Sequence, residues 1–388
     1  MRVFKSAGIL FSLALLFFVA GCESPTEPPP QEWSLTNSVP LLKTNVTWQP
    51  IPTVAKTNAP TVRTNLPPPK PSKPPIIYAY TSLNNWTEEQ KLSEPLLLTK
   101  SPLTTYSVSS KQGVLVLAIG SSEATWNGVT FHLGFAPEFI DGQVAVHGLD
   151  LRKNFEPLLT DPPLVFPGTN RVIVIDPGHG GANSGTIAVN DHYLEKDLTL
   201  DWARRLKPLL ETNGWTVYLT RNSDFDVSLS NRVMFAEARH ADLFVSLHFN
   251  SAAPDKKENG LETYCLTPQG MPSTLTRGNP DFTPEWFPNN AFDAENFKLA
   301  MRLHAAVLHA SNEDDRGVRR ARFMGVLHGN RHPAILIEGG FLSNPAEAKK
   351  IEDGDFRQKL AEAIADALAT PKFLNPKPAV INTLTNTP

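Results

Sequence analysis

Apolar residues follow two different periods along the second half of the chain. Residues 172–175 form an unbroken run of β-branched residues, which is typical of a strand buried on both faces. Residues 198–210 place apolar side chains at helical spacing, and the Asn-Gly pair at 213–214 is a helix-stop signal. Pro208 lies inside this segment and predicts a kink or an earlier helix end. Such alternation predicts an α/β fold with a mostly parallel sheet flanked by helices.

The same two periods recur further along the chain. They predict more strands at 217–219, 243–247 and 334–337, and more helices at 232–238, 297–308 and 356–368.

A region of shorter apolar runs precedes this pattern. Residues 114–119 and 129–133 are predicted as strands, and a Trp-Asn-Gly turn at 126–128 precedes the second one. Residues 135–159 resemble small accessory domains that pair a hairpin with a helix, and they contain no catalytic motif. A binding role and a plain structural role are therefore equally open. These patterns predict a small strand-rich accessory domain at 76–166, followed by a second domain at 171–370.

The first 22 residues have the composition of a signal peptide. A charged start precedes an apolar run at 9–20, which is shorter than the roughly 20 residues that a membrane-spanning helix needs. The ending Val19-Ala20-Gly21-Cys22 resembles the lipobox of bacterial lipoproteins, in which the cysteine is acylated. An ordinary cleaved signal is the alternative. Acylation of Cys22 would leave only Cys265, so no internal disulfide could form.

Proline and charge define the rest of the organisation. Many of the 35 prolines lie near the two ends, which predicts a Pro-rich linker at 23–75 and a disordered tail at 371–388. The 36 Lys and Arg residues nearly balance 39 Asp and Glu, so there is no electrostatic case for a nucleic-acid partner.

Three residues with useful chemistry follow predicted strands directly. They are His179, His248 and Glu338, and Glu195 opens the helix after the first of these strands. Ligands bind beyond the carboxyl ends of the strands in such sheets, so we expect all four side chains at one edge. A catalytic zinc site needs three N or O ligands and an open position for water, and two imidazoles with one carboxylate meet that need. Glu338 is then the group expected to take the water proton and pass it to the leaving nitrogen.

Each of these signals has an alternative. The Gly-rich turn at 178–181 could bind a phosphate, although it lacks the Lys-Ser/Thr pair of a P-loop. Glu195 could be a carboxylate favoured by the helix dipole. His192 is a rival ligand, and His328 and His332 could contact substrate or lie in surface loops.

The remaining histidines and Cys265 are expected to be uninvolved. His304 and His309 are expected on an exposed part of a helix. Cys265 is expected at a buried strand end, where a thiol is usually inert.

Together these motifs resemble the zinc-dependent N-acetylmuramoyl-L-alanine amidases of bacterial cell-wall remodelling. The resemblance covers residues 171–368, roughly half the chain. Its pieces are Val174-Ile175-Asp176-Pro177-Gly178-His179-Gly180-Gly181, Leu194-Glu195-Lys196-Asp197, Leu219-Thr220-Arg221, Arg232, Ser246-Leu247-His248-Phe249-Asn250-Ser251, Arg316-Gly317-Val318 and residues 333–344 around Glu338.

The resemblance implies a phosphorylase/hydrolase-like amidase fold with zinc bound by His179, Glu195 and His248, and with Glu338 as the catalytic glutamate. It also implies cleavage of peptidoglycan between N-acetylmuramic acid and L-alanine. Asn183 departs from the family pattern, in which many members have an acidic residue, so the fine geometry of that turn is open. Residues 267–290 are longer than the plain family core requires, and they could either shape a substrate groove or form a passive loop.

Two alternatives to the amidase function remain. One is a catalytically inactive wall-binding lipoprotein, and the other is a zinc peptidase that cuts within the stem peptide. Both keep the chain in the cell envelope, held to a membrane through Cys22 and facing the periplasm or the wall. Glu23 follows the cysteine in place of the aspartate linked to inner-membrane retention, which favours the outer membrane if the organism is Gram-negative. The sequence does not indicate which protein, if any, activates the chain.

Overall fold

The computed structural model describes residues 79–160, 171–190 and 192–369. The predicted signal peptide with Cys22, the linker at 23–75 and the tail at 371–388 lie outside the described residues. Within the described ranges, no helix combines the length and the apolar character needed to cross a membrane.

The first described segment consists mainly of short strands. Its strands are β1 (Tyr80–Ser82), β2 (Leu96–Thr99), β3 (Thr105–Ser109), β4 (Val114–Ala118), β5 (Glu123–Trp126), β6 (Val129–His132), β7 (Glu138–Ile140) and β8 (Gln143–His147). Its helices are α1 (Leu83–Glu89), α2 (Gly148–Asp150), a π-helix (Leu151–Phe155) and α3 (Glu156–Leu158). The turn between β5 and β6 has positive φ at both Asn127 and Gly128, as an Asn-Gly hairpin turn requires. The predicted short strands and turn are confirmed.

The rest of the described chain alternates strands and helices. Its strands are β9 (Val172–Pro177), β10 (Thr216–Leu219), β11 (Leu243–Asn250), β12 (Leu261–Cys265), β13 (Asp315–Arg320) and β14 (Ala334–Phe341). Its helices are α4 (Glu195–Thr212), α5 (Leu229–Ala238), a 3-10 helix (Pro288–Phe292), α6 (Asp293–Ser311), α7 (Gly325–His328), α8 (Pro345–Glu352) and α9 (Gly354–Ala369).

One large mixed sheet organises these elements. Its strand order is β10-β9-β11-β14-β12-β13-β6-β5-β4-β3-β2. The strands from β10 to β14 are parallel, β12 is antiparallel to β14, and β13 is parallel to β12. From β6 to β2 the strands form an antiparallel meander. The predicted α/β class is confirmed, and the mostly parallel part is the segment after residue 171.

Helices cover both faces of this sheet. On one face, α4, α6 and α9 pack their apolar side chains against Ile173, Val245 and Ile337. On the other face, α5 and α7 pack against Val174, Phe244 and Leu336. The two faces of each central strand are thus buried under different helices, which explains why these strands are continuously apolar.

Of the two effects predicted for Pro208, a kink or an earlier helix end, the earlier end does not occur. Helix α4 continues through Pro208 to Thr212, whose hydroxyl donates to the Pro208 carbonyl at 2.9 Å. Trp202, Leu206 and Leu210 lie on the buried side of α4 and are fully excluded from solvent. This packing outweighs the loss of one backbone hydrogen bond.

The expectation that His304 is exposed is also wrong. His304 is completely buried, and its ring nitrogens contact the Thr263 hydroxyl at 3.0 Å and the Asp315 carboxylate at 2.9 Å. Helix α6 packs both against strands β12, β13 and β14 and against α9, so more than one of its sides is covered. His309, in the last turn of α6, is exposed as expected.

The two predicted domains share the large sheet. Val318 of β13 pairs with Phe131 of β6, and the Asp315 carboxylate accepts a hydrogen bond from the Thr130 backbone at 2.7 Å. The boundary between an accessory domain at 76–166 and a domain at 171–370 stays a prediction, but no break in the sheet marks it.

The buried Arg320 side chain links the strand-rich segment before residue 160 to the segment after residue 171. It is fully buried and donates to the Asn154 side chain at 2.9 Å and to the carbonyls of Lys153 at 2.7 Å and Leu266 at 3.2 Å. Because these acceptors are buried, losing their donor leaves them unsatisfied.

We therefore expect Arg320→Lys to lower the free energy of unfolding by about 3 kcal/mol, since an ammonium cannot reproduce the guanidinium fork. Chemical denaturation of the intact protein measures this change. Arg331→Lys, at an exposed position, is the matched control and should unfold as the wild type does. Equal stability of the two variants would contradict the assigned role of Arg320.

Candidate metal centre

A buried carboxylate lies directly beneath the loop that follows β9. Asp176 is 1% exposed and accepts hydrogen bonds from the Thr220 hydroxyl at 2.5 Å, the Arg232 guanidinium at 2.6 Å and the Ser246 hydroxyl at 2.7 Å. These donors come from β11, from α5 and from the end of β10. Asp176 therefore fixes the strand end from which the loop departs.

Two buried arginines then orient the loop itself. Arg232 donates to the carbonyls of Pro177 at 2.8 Å and His179 at 2.7 Å. Arg221 donates to the carbonyl of Gly178 at 2.7 Å. Burial and the nearby Arg232 charge lower the pKa of Arg221 to about 10, so it stays protonated near neutral pH. The main chain on both sides of His179 is held by charged donors.

His179, Glu195 and His248 meet at the carboxyl ends of the strands. One Glu195 carboxylate oxygen is 3.1 Å from His179 Nε2 and 2.9 Å from His248 Nδ1. One donor atom from each residue can be chosen so that all three lie within 4.8 Å of one another. The structure thus brings together the three side chains that the sequence singled out as ligands.

The Glu195 carboxylate is buried and ionised. Its first oxygen also accepts from the Phe249 backbone at 3.2 Å, and its second accepts from the Thr186 backbone at 2.8 Å. Burial acts to raise the pKa of Glu195, but hydrogen bonds from His179 and His248, with their charges, hold it well below its usual range. A negative carboxylate therefore lies between two imidazoles.

Asn183 orients the His179 ring. Its side-chain oxygen lies 2.9 Å from His179 Nδ1 and also accepts from the Gly185 backbone at 3.1 Å. When a cation displaces the proton that Nε2 shares with Glu195, a proton kept on Nδ1 by Asn183 leaves the Nε2 lone pair directed at the cation. The amide oxygen of Asn183 thus provides the acceptor that an acidic residue would provide at this position.

Two glycines leave the space that the ligand side chains of this cluster occupy. A Cβ on Gly178 would lie 2.3 Å from the His248 ring. A Cβ on Gly185 would lie 2.6 Å from both the Glu195 carboxylate and the His179 ring, and the φ of Gly185 is +66°. Only glycine fits at these two positions.

Glu338 lies beside this cluster on the neighbouring strand. It pairs in register with His248 across β11 and β14, and with Glu262 across β14 and β12. Its Oε2 atom is buried without a hydrogen-bond partner among the described residues. Burial and the Glu195 charge raise the pKa of Glu338 well above its usual range, and the Arg277 charge opposes this rise. An unpartnered buried carboxylate is poised to exchange a proton with a bound molecule.

The donor set fits a divalent cation such as zinc. Two imidazoles and one carboxylate are common zinc ligands, and ligand atoms about 2.0–2.2 Å from a tetrahedral metal lie about 3.3 Å from one another. The observed contacts of 2.9 and 3.1 Å are close to that spacing. The donor atoms of all three residues lie within 4.8 Å of one another, so these residues could hold such an ion together.

The other residues considered from the sequence do not join the cluster. His192 is exposed. His328 stacks on Phe287 with ring centroids 4.0 Å apart, and His332 is buried near Glu237. Cys265 is fully buried, and burial raises the pKa of its thiol, as expected for an inert strand-end cysteine.

Two residues near the cluster were missed by the sequence reasoning. Glu262 is a buried carboxylate in the otherwise mainly uncharged strand β12, and that isolated charge was the available signal. Arg277 lies in the long segment at 267–290, and nothing in its local sequence distinguishes it.

An α/β sheet whose carboxyl edge gathers two histidines, a carboxylate from a helix start and a buried glutamate has the parts that a metal-dependent hydrolase requires. The family comparison agrees with this class: residues 173–370, half of the chain, match the family model of N-acetylmuramoyl-L-alanine amidases. The chain belongs to the N-acetylmuramoyl-L-alanine amidase family, which confirms the resemblance identified from the motifs.

Individual relatives match over the same half of the chain. The chain is 32% identical over 238 residues to N-acetylmuramoyl-L-alanine amidase AmiC of Escherichia coli, covering 55% of this chain and 56% of AmiC. It is 33% identical over 201 residues to the amidase LytC of Bacillus subtilis, covering 52% of this chain and 35% of LytC. The match thus spans about half or less of these relatives.

Among solved structures, the catalytic domain of the amidase CwlV from Bacillus (Paenibacillus) polymyxa is 31% identical with a TM-score of 0.42. That alignment covers 51% of this chain and 96% of the CwlV domain.

Arg232 should control metal affinity without touching the metal. Arg232→Lys keeps the positive charge but cannot contact Asp176, Pro177 and His179 together. We expect zinc affinity to fall roughly 10- to 100-fold, as measured by competition with a chromophoric chelator. Arg239, the exposed residue that follows α5, provides the matched control, and Arg239→Lys should bind zinc as the wild type does. Unchanged affinity in Arg232→Lys would refute the orienting role.

Proposed function

We propose that this chain is a zinc-dependent hydrolase that cleaves the amide bond between N-acetylmuramic acid and L-alanine in peptidoglycan. One observation carries the proposal: three ligand-type side chains converge next to a buried glutamate that has an unpartnered oxygen. Membership of the amidase family supports the choice of bond. The names of AmiC and LytC point to the same activity.

In this proposal His179, Glu195 and His248 hold zinc. When bound, zinc polarises a carbonyl oxygen and makes water acidic near neutral pH. Arg232 and Asn183 keep the His179 ring oriented toward the ion, and the Phe249 and Thr186 backbone N–H groups fix the Glu195 carboxylate. The ligands are thus held by donors and acceptors of their own, as metal ligands usually are.

Glu338 is proposed to carry the proton. Its carboxylate accepts a proton from the attacking water and then donates it to the nitrogen of the departing L-alanine. Its raised pKa suits the second of these steps, because a protonated carboxyl is the donor there. The neighbouring Gly339 lies against Phe249 and Trp202, so the main chain beside Glu338 is firmly packed.

The remaining parts of the chain are proposed to place this site in the cell envelope. Residues 1–22 would serve as a lipoprotein signal with Cys22 as the lipid anchor, and residues 23–75 as a tether to the described region. Residues 171–370 would form the catalytic domain and 76–166 the accessory domain. Family membership supports action at the cell wall, and the lipobox resemblance supports the anchor.

Replacing the proposed proton carrier should strongly slow turnover. We expect Glu338→Gln to lower kcat by about 10²- to 10⁴-fold, because the amide cannot accept the water proton. Release of stem peptides from purified peptidoglycan measures activity, and a chelator should stop the wild-type reaction until zinc is restored.

The matched control is Glu362→Gln on an exposed side of α9, which should retain full activity. Undiminished release by Glu338→Gln would refute the assigned mechanism. Mass spectrometry of the products identifies the bond: a free L-alanine amino terminus supports the amidase, and fragments of the stem itself would instead indicate a peptidase.

The anchor is tested separately. We expect Cys22→Ala to shift the protein from the membrane fraction to the soluble fraction, because the acylated cysteine would be lost. Fractionation followed by immunodetection measures the shift. Cys265→Ala is the matched cysteine control and should remain with the membranes. A Cys22→Ala variant that stays membrane-bound would contradict the anchor.

A further inference from the structure

A charged groove of about 330 Å³ lies at the carboxyl ends of β11 and β14. Asn250 and Phe341, the last residues of these two strands, both line it. Its charged lining residues are Glu258, Glu262, Arg277, Arg316 and Arg319. Three guanidinium groups thus face two carboxylates, so the lining carries one positive charge in excess.

This groove adjoins the proposed catalytic site. Glu262, in its wall, pairs in register with Glu338 on the neighbouring strand. Asn250, also in its wall, follows His248 by two positions on β11 and donates to Glu262 at 2.9 Å. A substrate whose amide bond lies at Glu338 would therefore extend into the groove on one side of that bond.

Two of the three arginines are already paired with carboxylates. Arg316 contacts Glu258 at 2.6 Å and Glu262 at 2.8 Å. Arg319 lies 3.2 Å from Glu262. Both carboxylates of the groove wall are therefore already paired with Arg316 or Arg319.

Arg277 is different because it has no carboxylate within ion-pair distance in the part of the chain that the structure describes. Its Nη2 atom donates to the Asn250 side chain at 2.9 Å and contacts the Tyr264 hydroxyl at 3.4 Å. Its guanidinium lies 5.4 Å from the centre of the Phe323 ring. The side chain is exposed, and its other N–H donors are free to bind an anion.

The segment that carries Arg277 is firmly attached to the sheet. The Asp281 carboxylate accepts from the Ser273 backbone at 2.7 Å and from Arg322 at 2.5 Å. The Thr274 backbone donates to the Arg320 carbonyl at 2.9 Å. Arg277 thus projects from an anchored loop, which reduces the entropy lost when it binds a ligand.

We propose that Arg277 binds the carboxylate of the residue that follows L-alanine, so that the site selects stem peptides with a free acid there. This inference rests on the proposed function. The muramyl side of the scissile bond is uncharged sugar, whereas the peptide side carries carboxylates. Only the peptide side therefore complements the excess positive charge of the groove, and a guanidinium is well suited to recognise a carboxylate.

The test compares two muropeptide substrates that differ at one group. Both contain N-acetylmuramic acid and L-alanine, followed by a D-glutamyl residue whose γ-carboxyl is amide-linked to the next stem residue. Its α-carboxyl is a free acid in one substrate (D-isoglutamate) and a neutral amide in the other (D-isoglutamine). We expect Arg277→Gln to lower kcat/KM for the acid by about 10- to 100-fold, mainly through KM, and to leave the amide substrate unchanged. Arg239→Gln, at an exposed position outside the groove, should change neither value.

Two results would overturn the proposal: an equal loss on both substrates, which indicates a general role in the site, or no loss on either. If the zinc-loaded wild type cleaves neither substrate, the proposed function is refuted, and the role of Arg277 is then tested separately. Calorimetric binding of the same two muropeptides to wild type and Arg277→Gln then decides the role of Arg277. An acid preference that disappears in the variant supports the proposal, and equal binding of acid and amide to the wild type overturns it.

Discussion

A buried ion pair supports the whole catalytic edge of this protein. Asp176 and Arg232 are both almost completely excluded from solvent, and a buried charge is tolerated only when it is paired and fully hydrogen-bonded. Meeting that demand draws Thr220 and Ser246 to the same carboxylate. The spare donors of Arg232 then fix the loop that carries His179. The buried ion pair therefore also fixes the position of the loop that carries the proposed metal ligand His179.

The order of the strands in the sheet determines which functional side chains are neighbours. His248 on β11, Glu338 on β14 and Glu262 on β12 are register partners in turn across three adjacent strands. Neighbouring positions in such a ladder lie roughly 5 Å apart. The proposed metal ligand, the proton carrier and the wall of the charged groove therefore follow one another in a single row, with no loop needed to bring them together.

The sequence predicted the parts of this fold that depend on local pattern. Strands such as β9 and β11 are apolar on both faces, so they were recognised, and the residues that directly follow or end them formed the expected cluster. Strand β13 was not predicted, because four of its six residues are charged. It is a strand only because β12 and β6 pair with it on either side. Arg277 and the burial of His304 also depend on distant neighbours, which no local pattern encodes.

The pairing of β6 with β13 has a consequence for how the chain matures. Thr130 and Asp315, which meet at this junction, are 185 positions apart. Whenever the meander forms before β13 has reached it, the backbone edge of β6 is open, and such an edge invites pairing with other chains. The β6 edge is covered only when β13 pairs with it. The late strand therefore protects the early ones, and the β6 edge has to stay apart from other chains until β13 pairs with it.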